Sequence, residues 1–427
     1  MKKAEKNFPY TLIATEGELN RFYTENTHAN WLAFDTEFIP EKYYKYKLCV
    51  ISAATPRGNY IIDTLKLKRI SPFIKLIDDP AITKITHAGE NDFQLLVNDH
   101  NAKPRNVFDT QLANGFLQYD YPMGLQPLLQ KALRIKLDKG ALRSDWERRP
   151  LTPEQCQYAV QDVVYLHPLM TALKRRLKRS GKLDWAMEEC RRLENPEFYR
   201  NDPLDFLSNA QVNQFSRKQK VFLMRMHMWR HLEAEKENRP LTQVLKTGVL
   251  NTIVQKIEAG ETALLKDRTL PARFIRENLD TFRRLYEDKI SSHEKELLDQ
   301  APEASTTTSR VSMLIDILHQ LIKYKGLKRG VSPKLIITSK ELQLMRTDSL
   351  YIPPAFKEGW RKKLLGKDML KLLENRNDFY ITIKKNKFTL RMKSKGTLFW
   401  QQLFNKIKGR DYALEDMEEN IPESTEE

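Results

Sequence analysis

The stretch Trp31-Leu-Ala-Phe-Asp-Thr-Glu-Phe38 constrains this chain more than any other. Trp31, Leu32, Ala33 and Phe34 make a short apolar run, the pattern of a buried strand. Asp35 and Glu37 follow at i and i+2, so a strand would send both carboxylates to one side of its sheet. Ionised groups at the end of a buried strand are costly to desolvate unless they are paired or bound to a metal. A bare D-x-E also fits an N-cap aspartate followed by a surface glutamate in a turn. The choice depends on partners elsewhere in the chain.

The next hundred residues supply an α/β framework. Residues 31–36, 47–54 and 59–63 read as three consecutive strands, with turn chemistry at Pro56-Arg57-Gly58-Asn59. A helix near 69–77 precedes a fourth strand at 82–86, and a fifth falls at 106–108 before a helix carrying Leu112, Phe116 and Leu117. Residues 87–96 form a strand-to-helix junction with Asp92 in the first turn, where an acid also suits the helix dipole. His87, at the same junction, is of a kind more often found as a hydrogen-bonded core residue than as a ligand. Farther on, Thr152 and Gln155 give a capping box, with Pro153 at the first helical position. Tyr158 and Asp162 then lie four apart on one face of that helix, upstream of any kink at Pro168.

In order, Asp35-x-Glu37, Asp92 and Tyr158-x-x-x-Asp162 resemble the three exonuclease motifs of the DEDD superfamily in its tyrosine subclass. The histidine subclass would place His where this chain has Gln157. The text between the motifs resembles the ribonuclease D family: Asp35-Thr-Glu-Phe38, Leu48-Cys-Val-Ile51, Phe108-Asp-Thr110, Leu137-Asp-Lys139, Arg143-Ser-Asp-Trp146 and Arg149-Pro-Leu-Thr152. Ser52 stands where the family usually has Gln, and Gly140 where Ser is common.

The resemblance implies a multidomain chain: an α/β RNase H-like 3′–5′ exonuclease domain, then two all-α HRDC-type helical domains, the second with a C-terminal β-hairpin. The expected divisions are 1–207 for the exonuclease domain, 210–290 for the first HRDC domain and 291–309 for a linker. A diverged second HRDC-like domain with its hairpin takes 310–400, and 411–427 form an acidic disordered tail. In the first helical domain Val221, Met224, Met228 and Leu232 fall at helical spacing, with Phe222 and Trp229 beside them, the pattern of a core stripe.

Composition agrees with a nucleic-acid enzyme. At 427 residues, about two to four domains are expected. Net charge is +16, and the segment after Arg410 holds eight acids and no Lys or Arg, leaving +24 on residues 1–410. A surplus of that size favours a polyanionic partner without separating RNA from DNA. No apolar run approaches a membrane span, and the first residues lack the apolar core of a secretory signal. Cys49, Cys156 and Cys190 make neither a disulfide framework nor a zinc pattern, which fits a reducing cytoplasm and a cytoplasmic location.

By resemblance, Asp35, Glu37, Asp92 and Asp162 hold two divalent ions, Mg²⁺ or Mn²⁺, whose hardness suits carboxylate oxygens. Asp35 would bridge both, Glu37 and Asp162 would hold the water-side ion, and Asp92 would support the other through its water shell. With an ordinary pKa near ~10, Tyr158 is a poor base at neutral pH and more suited to orienting the attacking water. The RNA 3′ end would meet Thr36, Phe38, His87 and Asn91; its backbone would meet Arg143, Arg148, Lys384 and Arg391. The implied partners are tRNA precursors and other small structured RNAs, cut by a monomer with release of nucleoside 5′-monophosphates. Two rivals remain: a DNA-directed 3′–5′ exonuclease, disfavoured because no G-x-x-x-x-G-K-[ST] is present, and a non-catalytic RNA-binding protein on the same fold.

Overall fold

The structure is a computed structural model that describes residues 2–3, 7–117, 120–137, 144–200, 205–208, 212, 214–300, 309–348, 351–374, 379–384 and 387–392. Six strands form one mixed sheet: β1 (Thr11–Ile13), β2 (Trp31–Ile39), β3 (Lys47–Thr55), β4 (Gly58–Asp63), β5 (Thr83–Thr86) and β6 (Val107–Asp109), in the order β1-β4-β3-β2-β5-β6. β3 runs antiparallel to both of its neighbours, β2 and β4, while β1, β5 and β6 add in parallel. The sequence reading found five of the six. It missed β1, whose three residues are too short to show a period, and helix α1 (Glu16–Asn26), which a Thr15/Glu18 capping box starts.

β2 runs through the middle of the sheet and its alternation divides the molecule. Leu32, Phe34 and Phe38 face one side, packing with Leu19 and Phe22 of α1, Phe73 and Ile77 of α2 (Ser71–Asp78), and Phe93 and Leu96 of α3 (Glu90–His100). Ala33 faces the other side, so Asp35 and Glu37 follow it there by the two-residue period. That second side is covered by α6 (Pro153–Val164), whose Cys156, Ala159 and Val160 pack on Cys49, Val50 and Ile61. The capping box read from Thr152 and Gln155 is present, and Pro153 opens the helix. The break after α6 falls at Tyr165, before α7 (Leu166–Arg179). Pro168 has no N–H to offer the Val164 carbonyl one turn back, so the chain turns there rather than at the proline. The helix expected to carry Leu112, Phe116 and Leu117 is short: α4 (Thr110–Asn114) ends before both Phe116 and Leu117.

The two helical regions after residue 210 differ in how they meet the sheet domain. The first has its own core, around Phe222, Met226, Ile253, Leu264 and Phe282. Its bridges to the sheet domain include a 3.1 Å hydrogen bond between Tyr44 Oη and His231 Nδ1. The expected stripe on its long helix α9 (Arg217–Lys236) holds only in part: Val221 and Met224 are buried, but Met228 is 65% and Leu232 64% exposed. The first turns of α9 are wrapped by Leu207, Val212 and Phe215, whereas its last turns bury one side alone, through Met226, Arg230 and Ala234. Within the expected linker, Ser292–Gln300 is helical, and its Glu294 pairs with Arg225 at 2.6 Å.

The second region, with helices Ser309–Lys328, Pro333–Ile336, Ser339–Thr347 and Gly359–Glu374, shares a core with the sheet domain. Trp360 is fully buried and meets Phe116 edge-on at 4.9 Å. Its Nε1 donates to Glu189 Oε2 at 2.8 Å, and Arg361 grips the same carboxylate at 2.7 and 3.0 Å. Glu189 lies in the last turn of α8 (Leu183–Cys190) of the sheet domain. Ser332 N donates to Gly115 O at 2.8 Å, an approach so close that a Cβ on Gly115 would lie 2.4 Å from Leu335. This region is a structural part of the catalytic half. Farther along, Phe379–Lys384 and Lys387–Met392 pair antiparallel. The acidic tail falls outside the described residues. Among the described residues no helix is long and apolar enough to cross a membrane.

Candidate active site

Three elements bring the carboxylates together. β2 presents Asp35 and Glu37, and α6, packed over the same face, presents Tyr158 and Asp162 one turn apart. These four residues, with His87, Leu125 and Leu166, line a cavity of about 250 Å³. Oxygens of Asp35, Glu37 and Asp162 all lie within 4.8 Å of one another. Asp92 approaches from α3 and is tied to Thr36, whose N–H donates to Asp92 Oδ1 at 3.0 Å and whose hydroxyl donates to the same oxygen. It stands behind the trio, close enough to raise the charge cost of Asp35.

The start of α3 is fixed by Asp109, at the end of β6. Its Oδ2 accepts from Gly89 N–H at 2.8 Å and from Thr86 Oγ1 at 3.0 Å. A Cβ on Gly89 would sit 2.6 Å from Thr86, so only glycine lets the helix start this close to β5. Asp92 follows three residues later, in register with Thr36. In the sequence Asp109 figured only inside the stretch Phe108-Asp-Thr110 and was given no site role; its other oxygen caps α4.

The electrostatics call for a cation. Burial first, then Asp92, Asp162 and Glu37, pushes the Asp35 carboxyl well above the carboxylate range. Burial and the same neighbouring acids raise Glu37 to about 8. Burial raises Asp162 to about 7 against a hydrogen bond from Tyr158, and Asp92 to about 6 against those from Thr36. Among the described residues no Lys or Arg lines the cavity. A buried, all-oxygen donor set without a cationic side chain fits hard divalent ions. The Tyr158 phenol is pushed above its ordinary value by burial and by the Asp162, Glu37 and Asp35 carboxylates, so it stays protonated and donates to Asp162.

The remaining expected contacts divide. His87 lines the cavity, but both ring nitrogens are engaged, Nδ1 with Thr110 Oγ1 at 2.9 Å and Nε2 with the Met123 carbonyl at 3.0 Å. It braces the segment leading to Leu125. Phe38 stacks on Tyr46 at 5.3 Å, on the face opposite the carboxylates, and is not among the residues lining the cavity. Thr36 is buried and spent on Asp92. Asn91 and Arg148 are exposed outside the cavity lining. Arg143 lies outside the described residues, as do the side chains of Lys384 and Arg391. Gln157, where a histidine-subclass enzyme would carry His, turns away and clasps the backbone of Phe8 at 2.8 and 3.0 Å. Ser52 donates to the Asp35 carbonyl at 3.3 Å from the neighbouring strand. Leu125 and Leu166 were missed because an apolar wall leaves no signal distinct from core.

This geometry has known counterparts. A family profile described as 3′–5′ exonuclease matches residues 10–178. The chain is similar to ribonuclease D of Granulibacter bethesdensis, 28% identical over 376 residues, covering 87% of this chain and 94% of that protein. It is similar to ribonuclease D of Zymomonas mobilis at 29% over 389 residues, covering 89% and 98%. The crystal structure of Escherichia coli RNase D superposes with a TM-score of 0.74 at 24% identity, over 86% of this chain and 98% of that one, and shows the same fold. With its motifs gathered in one cavity and its length matched almost throughout, the chain belongs to the ribonuclease D family of 3′–5′ exonucleases.

Proposed function

We propose that the chain removes 3′-terminal nucleotides from tRNA precursors and other small structured RNAs, using two divalent ions, Mg²⁺ or Mn²⁺, held by Asp35, Glu37, Asp92 and Asp162. The observation that carries this reading is the convergence of Asp35, Glu37 and Asp162 with Tyr158 in one cavity that no Lys or Arg lines among the described residues. The RNA choice draws on the relatives, since the E. coli enzyme is described as an exoribonuclease involved in structured RNA processing. The same reading makes the chain a monomer, with its first helical region an HRDC-type module that positions RNA.

Bound there, divalent ions would lower the pKa of an attacking water and stabilise the leaving oxygen. Asp35, Glu37 and Asp162 would hold the ions directly, and Asp92, tied to Thr36 behind them, would add its charge. Tyr158, protonated and hydrogen-bonded to Asp162, orients the water rather than deprotonating it. Leu125 and Leu166 give the cavity an apolar wall against which the terminal nucleotide would rest. The water oxygen bonds to phosphorus, the bond from phosphorus to the 3′ oxygen breaks, and that oxygen takes a proton. A nucleoside 5′-monophosphate leaves, and the shortened RNA ends in a new 3′ hydroxyl.

End recognition tests this. RNA bearing a 3′ phosphate should resist the enzyme while a blocked 5′ end makes no difference. Equal decay of 3′-phosphorylated and 3′-hydroxyl RNA would point to an endonuclease.

The raised carboxyls also set a pH dependence for ion binding. In the metal-free protein the folded chain keeps protons that the unfolded chain releases in the ordinary carboxyl range. The site therefore costs stability as pH rises through that range to about 8. A bound cation displaces those protons, so its affinity rises over the same interval. Mg²⁺ should raise the melting temperature more at about pH 8 than at about pH 5, where protons compete for the carboxylates. An equal increment at both pH values, measured by differential scanning fluorimetry, would remove these carboxylates as the ion site.

A further inference from the structure

A second cleft, of about 780 Å³, lies between the start of β3, the first turn of α2 and the end of α3. That is in the upper part of the range for ligand-sized clefts, roughly 300–1,000 Å³. Its walls carry Lys45, Lys47, Lys68, Arg69 and Lys75 against one acid, Asp99. Two of these cations are already engaged: Lys47 pairs with Glu147 at 2.7 Å, and Lys75 sits 5.3 Å over the Tyr23 ring. Lys45, Lys68 and Arg69 are exposed. Glu16 accepts from the backbone N–H of Lys68 at 2.8 Å and of Arg69 at 3.4 Å, which pins the turn that carries them while leaving both side-chain charges to the cleft.

The cleft is joined to the catalytic strand. Tyr46, 42% exposed, lines it and stacks on Phe38 with the rings 10° from parallel. Phe38 directly follows Glu37, and consecutive strand residues face opposite sides. The catalytic cavity and the cleft therefore lie on opposite faces of β2, and a ligand in the cleft is not the nucleotide being cut. Exposed cations beside an exposed, stacked aromatic ring are the chemistry that holds a polynucleotide, phosphates on the cations and a base on the ring.

We infer that this cleft binds the phosphate backbone of the RNA substrate at a point remote from its 3′ end. It makes the enzyme prefer long or folded RNAs to oligonucleotides too short to reach it. This rests on the exoribonuclease reading of the catalytic cavity.

The test uses the full chain and two triple variants, K45E/K68E/R69E and K45Q/K68Q/R69Q, on a trinucleotide and on a folded RNA with a single-stranded 3′ tail. The trinucleotide KM and both kcat values should stay at the wild-type level. The KM for the folded RNA should rise about tenfold in the charge-reversed variant and less in the neutral one. Its dependence on log salt should flatten by about 2, from three lost phosphate contacts at roughly 0.7 each. An unchanged KM and salt slope on folded RNA would overturn the inference and leave the cleft to an acidic protein partner. Equal losses on both substrates would overturn it too, by showing that the residues support the fold. A wild-type chain that fails to shorten the trinucleotide would count against the exoribonuclease reading instead.

Discussion

Asp35→Asn and Asp162→Asn should each lower single-turnover cleavage by more than about a thousandfold, beyond the loss of one aimed hydrogen bond. Each keeps the size of the side chain but removes one of the few negative charges that would balance a divalent ion there. Tyr158→Phe keeps the ring and loses only the hydroxyl, so it should retain measurable turnover, down by about 10²–10³. It should also shift the acid limb of the pH–rate profile upward, because the Tyr158 hydroxyl holds the Asp162 carboxyl lower than burial alone would leave it. Full activity in Asp162→Asn would sink the ligand assignment, and an unmoved acid limb in Tyr158→Phe would detach the phenol from Asp162.

The second large effect lies far from the cavity. Glu189→Gln should destabilise the chain by about 3–5 kcal/mol, because it leaves the Arg361 guanidinium buried without its counter-charge. Burial alone would push the Glu189 carboxyl up, but Arg361 and Arg192 outweigh it and hold it below the ordinary range. The pair's contribution is therefore present above that range and lost as pH falls below it. The expected drop in melting temperature is on the order of 10 °C. Removing everything after residue 300 should do more, since it strips Trp360 from Phe116 and opens the shared core. A catalytic fragment that stayed soluble and melted at the full-chain temperature would contradict the shared core.

The sequence carried the clustering of Asp35, Glu37, Tyr158 and Asp162 well, and for a physical reason. A D-x-E at the end of an apolar run, and a tyrosine four residues before an aspartate on a capped helix, are local patterns, and local patterns fix which side chains share a face. The long-range facts were the ones it did not carry. Asp35 and Glu37 give no sign that Thr36 between them is reserved for Asp92. His87 suited a hydrogen-bonded core position from the start, but only the structure shows that Thr110 and Met123 occupy the two nitrogens that an RNA contact would use. Phe38 stood beside the motif and was assigned to the RNA end, yet the strand's alternation sends it to the other face. Met228 and Leu232 kept helical spacing with the core but outran the chain available to cover them. The second helical region reads as a detached module, because nothing local in Trp360-Arg361 says that their partner is Glu189, 171 and 172 residues away.

The most direct measurement is product identity. Incubated with 5′-labelled RNA and Mg²⁺, the full chain should generate a ladder that shortens one nucleotide at a time from the 3′ end. The released material should be nucleoside 5′-monophosphate, and chelation of the metal or Asp35→Asn should abolish both. Internal cuts, release of 3′-monophosphates, or the same ladder after chelation would contradict a metal-dependent 3′–5′ exonuclease built on these carboxylates.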